Sequence, residues 1–75
     1  MKNNIEKQEK KDFVSYCLSP MLRKADNKIY SAEYDTDSNG NEFVTVTYIN
    51  GYKKTVCVTG DSLITLMGDV IKKLK

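Results

Sequence analysis

Apolar positions divide the chain into three stretches of different period. In the first, Phe13, Val14, Cys17, Leu18, Met21 and Leu22 recur at three- and four-residue spacing, the mark of a helix with one buried stripe. The polar lead-in, residues 1–12, carries Glu6 and Lys10 at i,i+4, a pairing that supports a helix from about residue 5, with residues 1–4 frayed. Pro20 interrupts the stripe, and an internal proline removes a hydrogen bond and crowds the preceding turn. Ser19 is a good N-cap and Pro20 suits a first helical position. The pattern therefore predicts a helix over 5–18, a break at Ser19 and a short helix over 20–25, with one kinked helix as the alternative.

From residue 28 the period becomes that of a strand. Asn39-Gly40 and Asn50-Gly51 each separate two β-rich runs, and Asn-Gly is the strongest short-range hairpin signal. Two hairpins predict a three-stranded antiparallel meander over about 28–36, 42–49 and 52–58. Two-residue type I′ turns would set Ile49 against Tyr52, Thr45 against Val56, Thr36 against Phe43 and Tyr34 against Thr45. One face then carries Tyr30, Ala32, Tyr34, Phe43, Thr45, Ile49, Tyr52, Val56 and Val58, and is expected to be the core side. The other carries Ser31, Glu33, Asp35, Val44, Val46, Tyr48, Lys53, Thr55 and Cys57.

The last stretch returns to a helical period, with Leu63, Ile64, Met67, Val70, Ile71 and Leu74 on one stripe. Thr59 or Asp61 is the expected cap. Lys72, Lys73 and Lys75 complement the C-terminal end of the helix dipole, and Gly68 is expected to allow close packing on the sheet. The predicted class is α+β, a three-stranded antiparallel meander with helices before and after it, α(α)-β-β-β-α.

Composition narrows the function. At 75 residues, 40% apolar, the chain holds one core and one domain, 1–75. There is no His and no Trp, which removes Ser-His-Asp and Cys-His catalysis, His-ligated zinc and the usual neutral-pH proton shuttle. Two cysteines cannot fill a structural zinc site. Twelve basic against ten acidic residues give +2, too balanced for phosphate-driven DNA binding and far from a DNA mimic. The first twelve residues lack the apolar core of a signal peptide, and no run approaches a membrane span. The expected setting is a cytosol, where Cys17 and Cys57 stay reduced and act as small buried hydrophobes; a disulfide between them is the alternative.

Four groupings carry candidate chemistry. Asp35-Thr36-Asp37-Ser38-Asn39-Gly40 matches the first half of an EF-hand loop, but Glu42 and Val46 stand where an apolar residue and the bidentate Glu belong. Those residue types are also what a tight hairpin prefers. Glu33, Asp35, Asp37 and Glu42 would need a partly dry pocket to divide acid and base roles, which a hairpin end does not offer. The lysines at 7, 10, 11, 53, 54, 72, 73 and 75 could grip phosphates while Tyr48 and Tyr52 stack on bases. The topology is also that of the double-stranded RNA-binding domain. That family needs lysines where this chain reads Gly60-Asp61-Ser62-Leu63, and a His that is absent. The fourth grouping is the second sheet face, where Val44, Val46 and Tyr48 form an apolar row. An exposed row of this kind marks an interface, unless the first helix packs over it. The residues point to no catalytic centre, metal site or cofactor.

The stretches Thr47-Tyr48-Ile49-Asn50-Gly51, Val56-Cys57-Val58-Thr59-Gly60-Asp61-Ser62 and Gly68-Asp69-Val70 resemble small proteins encoded by phages and prophages of Gram-positive bacteria. The resemblance covers the C-terminal half and carries no active site to transfer. It implies a phage or mobile-element protein that binds and inhibits a host protein, as anti-CRISPR and other anti-defence proteins do. The expected contact residues are Val44, Val46, Tyr48, Lys53 and Thr55, rimmed by Glu33 and Asp35. The expected partners are a host protein and a second copy in a homodimer. Nucleic acid through the lysines, or a small anionic signal held between two protomers, are the alternatives.

Overall fold

The computed structural model describes the backbone of residues 2–74 and the side chains of residues 7–74. Of residues 1–4, expected to fray, Lys2, Asn3 and Asn4 belong to the first helix; Met1 and the expected Glu6–Lys10 pair lie outside the described residues. A helical rod opens the chain: α1 (Lys2–Phe13) runs through a π-helical turn (Val14–Leu18) into α2 (Ser19–Ala25). Three strands follow, β1 (Ile29–Thr36), β2 (Glu42–Tyr48) and β3 (Lys53–Cys57), paired antiparallel in the order β1-β2-β3. Helix α3 (Leu63–Leu74) ends the fold, which is α+β as the periods predict. No described helix is long and apolar enough to cross a membrane.

The break predicted at Ser19 is replaced by the π-helical turn. Leu18 and Ser19 keep right-handed helical dihedrals, and the Ser19 N–H reaches back five residues to the Val14 carbonyl. A wider turn lets the helix pass a proline, which offers no N–H and whose ring crowds the turn before it. A capping residue needs extended dihedrals, so Ser19 does not cap. Its buried hydroxyl instead accepts the Ala32 N–H at 3.0 Å and pins the rod to β1. The rod buries Val14, Leu18 and Leu22 at four-residue spacing, while Cys17 and Met21, expected on the same stripe, are exposed.

Both hairpins close through three residues, not two. The Asp37 N–H donates to the Asn41 carbonyl at 3.1 Å and the Tyr48 N–H to the Tyr52 carbonyl at 2.8 Å, leaving Ser38-Asn39-Gly40 and Ile49-Asn50-Gly51 as the loops. A type I′ turn needs positive φ at both Asn and Gly. Among the described residues only glycines have it, including Gly40 at 85° and Gly51 at 92°. Each loop is therefore a type I turn completed by one left-handed glycine.

That extra residue moves β2 by one position against both neighbours. Val44 faces Tyr34 and Val56, and Thr45 faces Glu33 and Thr55. A slip of one turns a strand over. Val44 and Val46, expected on an open face, are 0% exposed, and Tyr48 packs against the same core. Phe43 and Thr45, expected inside, stand on the opposite face. Ile49 and Tyr52, also expected inside, are exposed. A bulge between Ile29 and Ser31 re-aims the start of β1: Ile29 turns in and Tyr30, expected in the core, turns out.

One apolar layer holds the molecule together. Val14, Leu18 and Leu22 of the rod and Leu66 and Val70 of α3 pack on Ala32, Tyr34, Val44, Val46, Val56 and Val58. Each buried Val or Leu contributes roughly 1.5–3 kcal/mol. Both helical elements thus share one side of the sheet. Ser62, not Thr59 or Asp61, caps α3: its Oγ accepts the Thr65 N–H at 3.2 Å. Leu66 replaces Ile64 on the buried stripe, and Ile64 is 78% exposed. Gly68 is exposed as well, with open space where a Cβ would stand, so it serves no close approach.

Candidate interaction surface

With both helical elements on one side, the other side of the sheet is uncovered. Register and alternation place three transverse rows there: Ser31–Thr47–Lys53, Glu33–Thr45–Thr55 and Asp35–Phe43–Cys57. The β1 side is acidic, the centre is made of hydroxyls, and the β3 side carries Lys53. Thr45 and Thr55 hydroxyls meet across the strands at 3.5 Å. Phe43 is half-buried in the third row, opposite Cys57, whose thiol is free and exposed. Hydrogen bonds with the Thr59 hydroxyl and N–H hold that thiol below the ordinary cysteine value, against the opposing charges of Asp61 and Asp37.

Four of the seven expected contact residues are on this face: Glu33, Asp35, Lys53 and Thr55. Val44 and Val46 are not available to a partner, because the register seals them under the helices. Tyr48 lies at the hairpin end, half-buried, with its ring 5.8 Å from that of Tyr52. Phe43, Thr45, Thr47 and Cys57 take the vacated positions. Their signal was in β2 itself, since Glu42-Phe43-Val44-Thr45-Val46-Thr47-Tyr48 alternates with valines on one side and threonines on the other. Both cysteines, expected to be buried, are exposed free thiols.

A second polar site lies at the opposite end of β2 from Tyr48. Glu42, expected at a hairpin end that offers no dry pocket, is buried. Its Oε1 accepts the Lys10 ammonium at 2.6 Å and the Tyr34 hydroxyl at 2.8 Å, and its Oε2 accepts the Gly60 N–H at 3.1 Å. Its own N–H donates to the Thr59 hydroxyl at 2.8 Å. Burial pushes the Glu42 carboxyl up, but Lys10, the Gly60 N–H and the Tyr34 hydroxyl outweigh it and hold it below the usual value. Burial, then the bond to Glu42, keep the Tyr34 hydroxyl protonated well above the ordinary tyrosine value. One residue thereby ties α1, β1 and the turn before α3 to β2.

Glu42 lines a cleft of about 640 Å³ with Lys7, Lys10, Thr59 and Asp61. Burial, then the neighbouring Asp69 carboxyl, raise the Asp61 carboxyl, and its Oδ2 is buried without a hydrogen-bond partner among the described residues. The hairpin loop that resembled half a calcium site spends its central carboxylate internally. Asp37 accepts the N–H groups of Asn39 and Asn41 and the Asn41 side-chain amide. No group of three or more metal-binding side chains comes together among the described residues.

No protein-family model, curated protein or solved structure matches the chain. The chemistry of its own surface is what bears on function: a broad uncovered face with hydroxyls, one aromatic ring and opposite charges at its two sides, and a cleft in which internal donors bond both oxygens of the Glu42 carboxylate.

Proposed function

We propose that the chain is a non-enzymatic binding protein of phage or mobile-element origin. It acts in the host cytoplasm by covering a functional surface of a host protein, a component of a defence system. The observation that supports the binding reading is the sheet covered on one side only. Its open side offers hydrogen-bonding hydroxyls around a half-buried aromatic ring, the mixture that protein interfaces use at their centres and rims. The contact residues are Phe43, Thr45, Thr55 and Lys53, with Glu33 and Asp35 along the β1 side. Val44 and Val46 give the core that holds this face in shape. The phage origin rests on the resemblance of the C-terminal half.

Tagged protein and a Thr45→Arg variant, applied to nuclease-treated lysate of a Gram-positive host, test the reading. The expected result is one stoichiometric protein held by the original chain and lost by the variant, with both giving the same circular dichroism spectrum. A partner retained equally by Thr45→Arg contradicts the face. Loss of all partners on nuclease treatment transfers the function to nucleic acid.

A further inference from the structure

The two edges of the sheet are finished differently. Backbone bonds join Val58 to Glu42 and Tyr48 to Tyr52. In an antiparallel ladder such pairs alternate with pairs whose backbone groups point apart. The N–H and C=O groups of Lys53, Thr55 and Cys57 therefore face away from β2, along the free edge of β3. The same alternation sends the N–H groups of Ala32, Tyr34 and Thr36 to the free edge of β1, and there two of the three are occupied. Ala32 donates to Ser19 Oγ at 3.0 Å and Thr36 to Asp35 Oδ1 at 2.8 Å. Among the described residues, the turns and side chains supply no such partner to the N–H groups of Lys53, Thr55 and Cys57.

Charge distinguishes the β3 edge further. A groove of about 420 Å³ separates it from α3, lined by Thr55, Val56 and Cys57 on one wall and Asp69, Lys72 and Lys73 on the other. Lys53 and Lys54 stand on the strand itself. Four ammonium groups thus flank a five-residue edge, with the Asp69 carboxylate in the groove and the charges of Asp61 and Asp37 reaching its Cys57 end. Lysines of this kind oppose pairing of the edge with itself, because a second β3 brings its own lysines alongside. They favour a strand of the opposite charge.

We infer that β3 is a docking edge for an acidic extended segment of a partner protein, which adds to the sheet as a fourth strand. Backbone hydrogen bonds to Thr55 and Cys57 supply the register, and acidic side chains facing Lys72 and Lys73 select the partner. This rests on the protein-binding reading and names the partner's chemistry at the β3 side of the open face.

Amide hydrogen exchange of the full chain, read by NMR, is the test. The probe is a short peptide alternating Glu and Val, compared with the same peptide carrying Lys in place of Glu. The acidic peptide is expected to slow exchange of the Thr55 and Cys57 amides at least about tenfold, less so as salt is raised. The lysine peptide is expected to leave them unchanged, and a Lys72→Glu, Lys73→Glu variant to lose the response to the acidic one. Absence of protection at millimolar acidic peptide overturns the inference, as does equal protection by both peptides. Protection that rises with protein concentration alone also overturns it, since a second copy then fills the edge. Failure here with Thr45→Arg-sensitive capture intact removes only the edge. Edge protection with capture indifferent to Thr45→Arg removes only the open-face reading.

Discussion

Adjacent residues of β2 have opposite fates. Val44 and Val46 are wholly shielded from solvent, while Phe43, Thr45 and Thr47 look out from the uncovered side. The same strand is core on one face and surface on the other, and one loop residue decides which is which. Two-residue turns would have presented the valines to a partner and buried the threonines. Three-residue loops, closed by Gly40 and Gly51, do the reverse. A binding face in so small a domain is thus set at its hairpin ends as much as in its strands.

The largest contrast should come from neighbouring positions. Val46→Asp places an unpaired carboxylate in the core, at a cost of more than about 4 kcal/mol, and is expected to abolish the cooperative denaturation transition. Thr45→Arg, one residue away and opposite Glu33, is expected to shift stability by less than about 0.5 kcal/mol in the same urea titration.

Glu42 comes next. It is a polar member of the inner layer, and Glu42→Gln leaves Lys10 without its charge partner. The expected loss is about 1–3 kcal/mol at neutral pH. The sign of its pH dependence follows from its lowered carboxyl. Stability from this group is present above the ordinary value of 4.5 and is lost as pH falls through the lowered folded-state value. Acid titration of unfolding should therefore show a weaker dependence below that pH in Glu42→Gln than in the original chain.

Gly68 sharpens the contrast from the helix side. It is exposed in α3 with open space around it, so Gly68→Ala should stabilise by about 1 kcal/mol, read as a higher denaturation midpoint. A close approach to the sheet would instead make the substitution destabilising.

The loop itself offers the most specific test. Deleting Ile49 leaves Asn50-Gly51 as a two-residue loop while Tyr48 still faces Tyr52, which suits a type I′ turn. The strands keep their register, and stability should change by no more than about 1 kcal/mol. Had Ile49 faced Tyr52, the same deletion would turn one strand over and unfold the domain.

Much of the fold was legible in sequence, because element type follows hydrophobic period. The helices, the three strands, both hairpins and the face assignment of Ala32, Tyr34, Val56 and Val58 could all be read. The central strand was misread because Asn-Gly serves two loop types, and a turn was allowed to outvote the strand's own Val/Thr alternation. The π-helical turn was hidden because Ser19-Pro20 also makes a good helix start. Ser19 was instead recruited by the Ala32 N–H, a contact that exists only once rod and sheet meet. Glu42 escaped for the same reason, since its partners Lys10, Tyr34 and Gly60 come from three separate segments. Of the candidate surface, the outer strands' share (Glu33, Asp35, Lys53 and Thr55) was legible, and the centre was not.

Register is the claim on which the rest depends, and cross-strand Hα–Hα nuclear Overhauser effects report it directly. Pairs that do not exchange hydrogen bonds bring their Cα atoms closest. The fold predicts strong effects between Thr45 and Thr55 and between Phe43 and Cys57. Strong effects between Val46 and Thr55 and between Val44 and Cys57, the close pairs of the two-residue-loop register, would return the valines of β2 to the surface and contradict both the core and the proposed binding face.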